Sequence, residues 1–485
     1  MGNQEIIWKQ ITQSMIQIFS KQLLIGLTIT LVVGCSANIN QFTVPVTPAD
    51  KFSSDGIIPI ADKWWLAFED PALNQLIDQA LNHNFDLRVA YDRLAQARAN
   101  AKKTGAELIP QLNGSFGANQ SYIESNSSRS TVNDFSAGFA ASYELDLWGR
   151  IRFGMHAAEL DERAAQQDIQ IAAISLSAEV TSTWYKLIDQ RLQLALLDKQ
   201  IKVNQDNVNI LFTRFKLGQA RAADVFQQKQ LLQASIGDKT TVLANLKNFE
   251  YQLATLLGQP VNTLTLSDKQ QFPLLPSKPS TGLSSDLIQR RPDIKKAYLK
   301  VQAADQRIAS AIADRFPKIS LSASFNSNTP DLQSLFNNWL ATLAGNLVLP
   351  IIDGNRRVAE VERNQAIFSE TVNQYGAVIL TALQEVETAL IQEQQQSLLV
   401  TSIDKQLVLS QQAYEQILLR YRYGGMDFLR VLSARLSVQT LERSRIRAER
   451  ELIDFRINLY KALAGGWSLK MPATQIPADY INNNK

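Results

Sequence analysis

Few side chains in this chain of 485 residues are suited to catalysis. It contains one cysteine, Cys35, and two histidines, His83 and His156. A single thiol excludes a disulfide framework, a thiolate zinc site and an iron–sulfur cluster. Two histidines argue against histidine-based metal sites and against Ser–His or Cys–His triads. We therefore predict no bound metal and no catalytic cofactor.

Carboxylate clusters are the remaining candidates for acid–base chemistry. One cluster pairs Glu144 with Asp146, and the other groups Glu159, Asp161 and Glu162. We interpret the second group as acids that favour the positive end of a helix dipole. We expect the first pair to line the lumen of a barrel. Each cluster therefore has an explanation that involves no catalysis, and we predict that the chain is not an enzyme.

The charge balance also limits the partners. The chain has 49 basic and 46 acidic side chains, for a formal net charge of +3. A nucleic-acid-binding domain usually carries a strongly basic surface. We therefore predict no nucleic-acid partner.

The single cysteine follows a short apolar segment. Residues 23–34 carry no charge, Lys21 precedes them, and Cys35 comes directly after Gly34. A run this short is typical of a secretory signal and is too short for a transmembrane helix. The Gly-Cys junction resembles a bacterial lipobox, which implies cleavage before Cys35, a covalent lipid (palmitate included) on its thiol and, since Ser36 follows, the outer membrane. A buried free cysteine is the alternative, and Met15 is an alternative start.

An internal repeat organises the rest of the chain. Turn residues and small residues recur at an offset of 205–207 positions. Arg214 and Gly218 recur as Arg420 and Gly424, at an offset of 206. Five further residues recur at an offset of 207: Asp86, Ala90, Ala97, Ala106 and Pro110 become Asp293, Ala297, Ala304, Ala313 and Pro317. We therefore predict that the chain contains two tandem copies of one structural unit.

Each copy shows the same order of periodicities. An Ala-rich helix is predicted over 73–108, with a counterpart over 286–315, and proline ends both. Segments of alternating apolar and small polar residues follow, which indicates strands. We place four strands at about 111–122, 134–146, 318–327 and 339–351. Residues 155–217 then lack Gly and Pro, as 356–423 nearly do, which predicts long coiled-coil helical hairpins with tip turns near 218 and 424.

The repeat gives the domain plan and the fold class. We divide the chain into a signal peptide at 1–34, a linker at 35–60, a first repeat at 61–258, a Pro-rich linker at 259–282, a second repeat at 283–468 and a tail at 469–485.

Strands of this length and alternation match an outer-membrane barrel. Four strands cannot close a barrel, which needs about eight. Three copies would supply twelve, so the fold class is mixed α and membrane β, completed in a homotrimer. Two hairpins that cover a soluble helical core are the alternative.

Three motifs resemble a known family. They are Trp64-Trp65 with the segment that follows, Glu144-Leu-Asp-Leu-Trp-Gly149, and Arg290-Arg291-Pro292-Asp293. They are similar to those of the TolC/OprM-type outer-membrane efflux factors, especially the lipoprotein (NodT-like) branch. The resemblance covers about residues 60–468. It implies a homotrimer with a twelve-stranded barrel and a long periplasmic α-barrel. It also implies docking to a periplasmic adaptor and to an inner-membrane pump of the resistance–nodulation–division type.

The resemblance also implies site residues at the helical tips. Tyr421 would join bonds that hold the tip shut, together with Arg422, and Leu429 would form an apolar ring. Many members place an acid one turn later, where this chain has Ser433, so Asp427 is the alternative source of an acidic aperture. The tip turns at Gly218, Gly424 and Gly425 would receive the adaptor. Ordinary tip packing is the alternative for these side chains.

Three functions remain open from the sequence. The first is a passive exit duct for drugs and other small molecules, in an efflux system of the outer membrane. The second is the same duct used for protein secretion or metal-ion export. The third is a structural lipoprotein of the periplasm without a pore. The alternating strands argue against the third function.

Overall fold

The computed structural model describes residues 46, 50–57, 59, 61–125, 128–261 and 263–469. The predicted signal peptide, Cys35 and the tail after residue 469 lie outside these ranges. The described chain forms two compact units. One comprises residues 101–158 and 302–369, and the other comprises the remaining described residues. Helices alternate with strands in the order ααββαα, twice.

Eight α-helices occur in the described ranges, and four of them are long. The short helices precede the strands in each repeat: α1 (Pro71–His83), α2 (Phe85–Gly105), α5 (Ser284–Arg290) and α6 (Pro292–Ala313). The long helices follow the strands: α3 (Arg150–Lys216), α4 (Ala222–Leu256), α7 (Arg356–Arg422) and α8 (Phe428–Leu463). Helices α3 and α7 each contain 67 residues. Their first residues are 206 positions apart, so the repeat is confirmed at the level of whole helices.

The expectation of one continuous helix before the strands is wrong in both repeats. In the first, the chain leaves helical geometry at Asn84, which separates α1 from α2. The Asn84 side chain accepts a hydrogen bond from the Leu87 backbone N–H and donates one to the Leu256 carbonyl. In the second, Arg291 makes the break, and its guanidinium donates to the Ala462 carbonyl. Each break therefore ties the next helix to the end of a long hairpin.

The four strands form one antiparallel sheet in the order β1-β2-β3-β4. They run over Gln111–Ser125, Ser128–Leu145, Lys318–Thr329 and Leu340–Val348. The first pair is longer than expected, because β1 extends to Ser125 and β2 already begins at Ser128. Phe139 pairs with Gly114 on one side and with Phe325 on the other. This register aligns the apolar residues of neighbouring strands on one face of the sheet.

The largest core surrounds the middle of α3. Trp184 and Tyr185 are fully buried there, and the Trp64-Trp65 motif is 1% exposed. The Trp64 ring stacks on Tyr460 of α8, with centroids 5.5 Å apart. Asp70 caps α1 and accepts a 3.0 Å hydrogen bond from the Trp184 indole. The motif is therefore explained by packing of the first repeat against the second.

The Pro-rich segment between the repeats is packed against this core. Leu266 and Phe272 contact the core cluster, and the ammonium of Lys269 lies 2.9 Å from the buried Asp70 carboxylate. Arg191 of α3 donates to the Ser267 carbonyl, and Arg456 of α8 donates to the Pro276 carbonyl. The segment therefore links α1, α3 and α8, because it bonds to a residue of α3, to a residue of α8 and to the residue that caps α1.

Candidate functional site

The two helical tips have the same backbone geometry. Gly218 and Gly424 adopt φ values of 73° and 77°, which favour glycine. Gln219 N–H donates to the Arg214 carbonyl at 2.8 Å, and Gly425 N–H donates to the Arg420 carbonyl at 3.0 Å. Both are six-to-one bonds of a Schellman motif, which satisfies the last carbonyls of a helix. At each tip, this turn therefore satisfies carbonyl groups at the C-terminal end of the first helix of the hairpin, and the chain then reverses its direction.

Tyr421 connects the two tips within one chain. The Arg214 guanidinium carbon lies 5.2 Å from the centroid of its ring, and the Phe428 ring centroid lies 5.6 Å away. Phe428 is buried with Leu211 and Val225, which belong to the first-repeat hairpin. A cation over an aromatic face is stabilised by the ring quadrupole. Tyr421 thus lies in a contact that joins α3 to α7 and α8.

A second polar contact reinforces this junction. Arg435 of α8 donates a 2.8 Å hydrogen bond to the Tyr414 hydroxyl of α7. The sequence marks Arg214 only as the repeat counterpart of Arg420, in the first tip turn. It gives no signal that Tyr414, Phe428 or Arg435 takes part in this junction. The partner of Tyr421 could not be read from the sequence, since it depends on how the two hairpins pack.

The other predicted tip residues lie outside the contact that Tyr421 makes with Arg214 and Phe428. Arg422 and Asp427 are exposed, and neither has an ion pair among the described residues. Leu429 is 50% exposed, and the Ser433 hydroxyl donates to its carbonyl at 2.9 Å. Leu429 and Ser433 therefore lie one turn apart on the same side of α8. Together their side chains form an uncharged surface, to which Leu429 contributes an apolar group and Ser433 a hydroxyl.

The candidate carboxylates take part in structural contacts. Glu144 forms an ion pair with Arg150 at 3.0 Å, and Asp146 accepts from the Ile151 and Arg152 backbone N–H groups at the start of α3. An acid at this position satisfies helix N–H groups that have no intrahelical partner. Asp161 pairs with Lys300, and Glu162 pairs with Arg98. These groups hold helices in place, and the described residues contain no cluster of acids, histidines and cysteines suited to a metal.

A polar cavity of about 520 Å³ lies between α3, α4 and α8. Its charged lining residues are Lys186, Asp189, Asp238, Arg443, Arg447 and Arg450. Asp189 is 5% exposed, and one of its carboxylate oxygens has no hydrogen-bond partner. Burial raises the pKa of the Asp189 carboxyl despite the opposing effect of Arg450 and Arg447. The cavity therefore keeps a polar environment inside the helical region.

No described helix combines the length and the apolar character that a membrane-spanning helix requires.

Each of the two repeats has a long helical hairpin that turns at a glycine, and each contributes two strands to one four-stranded antiparallel sheet. This combination defines the class of outer-membrane efflux channels. The chain belongs to the outer membrane efflux protein family, whose profile matches residues 76–259 and 283–465. Members of this family are channels rather than enzymes, and they act with adaptor and inner-membrane pump partners. The predicted fold and the predicted exit-duct function are confirmed: the chain is an outer-membrane channel of an efflux system.

Similarity extends over most of the chain in three comparisons. The pyoverdine export outer membrane protein OpmQ of Pseudomonas aeruginosa is 30% identical over 421 residues, covering 84% of this chain and 87% of that protein. The cation efflux system protein CusC of Escherichia coli is 28% identical over 456 residues, covering 90% and 96%. Among solved structures, the outer-membrane channel OprN matches with a TM-score of 0.80 and 26% identity, over 88% of this chain and 98% of that one.

Proposed function

We propose that three copies of this chain form the exit duct, with a twelve-stranded barrel in the outer membrane. Each chain contributes four strands, and β1 and β4 have one neighbour each in the described sheet. A lone sheet in a membrane would leave the N–H and C=O groups of both edges unpaired, which costs several kcal/mol for each group. Pairing of β4 with β1 of the next copy removes these edges. Three copies satisfy the minimum of about eight strands.

The observation that carries this proposal is the difference between the two faces of the sheet. On one face, Leu112, Phe139 and Leu347 are 60–70% exposed in the single chain. On the other face lie serine, asparagine and glycine residues: Asn113, Ser115, Gly117, Ser136, Gly138, Ser142, Ser320, Ser322, Ser324 and Asn326. An apolar outer face suits lipid, and a polar inner face suits a water-filled passage. Hydrated small molecules could then cross the membrane without a chemical step.

The proposed partners follow from the passive character of this duct. An energy source must lie elsewhere, and we assign it to an inner-membrane pump of the resistance–nodulation–division type. A periplasmic adaptor would contact the tip turns at Gly218, Gly424 and Gly425, where the backbone is exposed. Opening would separate the tips by breaking the contact between Tyr421 and Arg214. OpmQ is described as a pyoverdine export protein and CusC as a cation efflux protein, so small solutes are the proposed cargo.

A deletion strain tests this function. Loss of the gene should increase susceptibility to several unrelated small toxic compounds, and expression of the full chain should restore resistance. A change confined to metal salts would favour metal-ion export instead. Loss of secreted proteins with unchanged susceptibility would favour protein secretion. An unchanged phenotype in all three assays would contradict the duct.

We also propose a covalent lipid on Cys35, which anchors the mature chain to the outer membrane. Replacing Cys35 with serine should abolish the mass added by the lipid, because the attachment needs a thiolate as the nucleophile and a serine hydroxyl stays protonated near neutral pH. The measurement is the intact mass of the purified protein and of its N-terminal peptide. Ser36→Ala is the matched control and should keep the lipid. An unlipidated Cys35 in the wild-type protein would contradict this assignment.

A further inference from the structure

The polar cavity between α3, α4 and α8 takes no part in the tip contacts. Its lining residues all belong to one compact unit. Each of the three helices contributes residues at spacings of three and four positions: Lys186, Asp189 and Gln193 from α3, Asp238, Thr241 and Asn245 from α4, and Arg443, Arg447 and Arg450 from α8. Such spacings place residues on one face of a helix. One face of each helix therefore borders the same space.

Two of the four cations that line the cavity lack a partner. Arg443 forms an ion pair with Asp238 at 3.2 Å, and Arg450 pairs with two acids of its own helix. Lys186 and Arg447 make no ion pair and no hydrogen bond within the part of the chain that the structure describes. The cavity therefore contains two positive charges that internal contacts do not neutralise.

A buried carboxyl group lies beside these cations. One oxygen of Asp189 accepts a 2.6 Å hydrogen bond from the Gln190 amide, and the other is buried without a hydrogen-bond partner. Burial raises the pKa of the Asp189 carboxyl, which favours the protonated form. A protonated carboxyl carries an O–H donor in place of a negative charge. An acceptor atom in the cavity would satisfy this donor.

The repeat shows that packing of the hairpins does not require these charges. The long helices of the two repeats are related by an offset of 206. At this offset, the charged residues of α3 and α8 have uncharged counterparts: Gln392 and Gln395 on α7, and Gly237, Thr241 and Ala244 on α4. The shared helical hairpin is thus built without them. Their presence around one cavity indicates a ligand rather than a common structural need.

We infer that this cavity binds a doubly charged oxyanion, such as a sulfate ion or a phosphate group. The two unpaired cations, Lys186 and Arg447, match its two negative charges, and the Asp189 carboxyl donates to one of its oxygens. An arginine fork suits the oxygens of such an anion, and an ammonium group adds a compact charge. Neutral donors complete the lining: Thr241, Asn245, Thr440 and Ser444.

A bound oxyanion would connect the two repeats. Lys186 and Asp189 belong to α3 of the first repeat, and Arg447 belongs to α8 of the second. A ligand that binds only the folded chain stabilises it in proportion to the logarithm of the ligand concentration above the Kd. The site lies within one chain, so it does not depend on the proposed homotrimer.

Equilibrium dialysis of the detergent-solubilised full-length protein with radiolabelled sulfate tests this site. Sodium chloride keeps the ionic strength constant, because salt screens charge interactions. We expect one sulfate ion to bind to each chain. Arg447→Gln should raise the Kd by about tenfold or more, since a hydrogen-bonded charge is lost. Lys186→Gln is a second variant with the same expected direction.

The neighbouring arginine of α8 supplies the matched control. Arg445 lies two positions from Arg447, which places it on another side of the helix, and it pairs with Asp404 at 2.6 Å. Arg445→Gln removes the same charge from the same helix and should leave the Kd unchanged. No sulfate binding by the wild-type protein would overturn the site. Equal losses in Arg445→Gln and Arg447→Gln would also overturn it.

The pH dependence of binding tests the role of Asp189. Sulfate keeps both charges between about pH 5 and about pH 8, so a change in affinity over this range comes from the protein. The charged groups around Asp189 are Lys186 of α3, Asp238 of α4, and Arg443, Arg447 and Arg450 of α8. Protonation of Asp189 replaces a repelling charge with a donor, so the affinity should rise as the pH falls. Asp189→Asn should bind sulfate tightly at both ends of the range. An affinity that does not rise as the pH falls would overturn the site.

Competition distinguishes a free ion from a phosphate group on a larger molecule. Inorganic phosphate and glycerol 3-phosphate are each added to the protein with labelled sulfate bound. Stronger displacement by glycerol 3-phosphate would assign the site to a phosphate ester, and equal or weaker displacement would assign it to the free ion. Failure of both to displace sulfate would overturn the site for this class of anion.

Discussion

Replacing Arg456 with methionine is expected to lower the free energy of unfolding by about 3–5 kcal/mol. Arg456 of α8 is 3% exposed, and its guanidinium makes two bonds to the Glu393 carboxylate of α7, at 2.7 and 2.8 Å. It also donates to the Pro276 carbonyl of the segment between the repeats. Without it, the Glu393 carboxylate would remain buried and lack its countercharge. An uncompensated buried charge is the physical cause of the loss.

Thermal or denaturant unfolding of the detergent-solubilised protein measures this effect, and the same helix pair supplies the control. Arg445 pairs with Asp404, also between α8 and α7, but these side chains are 39% and 45% exposed. Arg445→Met should therefore cost at most about 1 kcal/mol. The double variant Arg456→Met with Glu393→Met should recover much of the loss, because no buried charge remains. Equal effects of Arg456→Met and Arg445→Met would contradict the role assigned to burial.

Replacing Arg214 with serine is expected to shift the duct toward its open state by about a hundredfold. The contact of Arg214 with the Tyr421 ring is worth about 1 kcal/mol at each tip. Three tips in the proposed homotrimer bring the loss to about 3 kcal/mol, and each 1.4 kcal/mol is a factor of ten in the open-to-closed ratio. A small local change is thus multiplied by the symmetry of the assembly. Tyr421→Leu should act in the same direction.

Single-channel recording in planar bilayers measures this shift as a larger mean current at the same voltage. Arg430→Ser is the matched control, because Arg430 lies in the first turn of α8 close to the tip but is exposed and makes no ion pair among the described residues. It should leave the current unchanged. If Arg430→Ser opens the duct and Arg214→Ser does not, the contact between Arg214 and Tyr421 does not hold the tips together.

The fold was largely predictable because periodicity and the repeat can be read directly from the order of the residues. Alternation over residues 135–145 and 319–325 predicted strands and the face that each residue occupies. The lack of Gly and Pro over 155–217 predicted a long helix, and glycine marked its end. These signals are local, and both repeats carry them. The break at Asn84 was missed because a side chain that caps a helix resembles any other polar residue in the sequence. The break at Arg291 did carry a signal in Pro292, since proline disfavours helical geometry in the residue before it and is favoured at the first position of a helix.

The candidate site was only partly predictable. The turns at Gly218 and Gly424 followed from the sequence, and the family resemblance indicated Tyr421. The partner of Tyr421 was not evident, because Arg214 lies about two hundred residues away and meets it only when the hairpins pack. Arg422, Asp427, Leu429 and Ser433 remain predictions as gate residues. Their exposure is compatible with a surface that other copies or partners contact.

The central claim is that copies of this chain form a duct through the outer membrane. The most direct test is the electrical conductance of the purified full-length protein in a planar lipid bilayer. The expected result is discrete, uniform current steps from particles with the mass of three chains, with low current until the tips are released. Membrane-inserted trimers that never conduct, with Arg214→Ser as silent as the wild type, would contradict the claim.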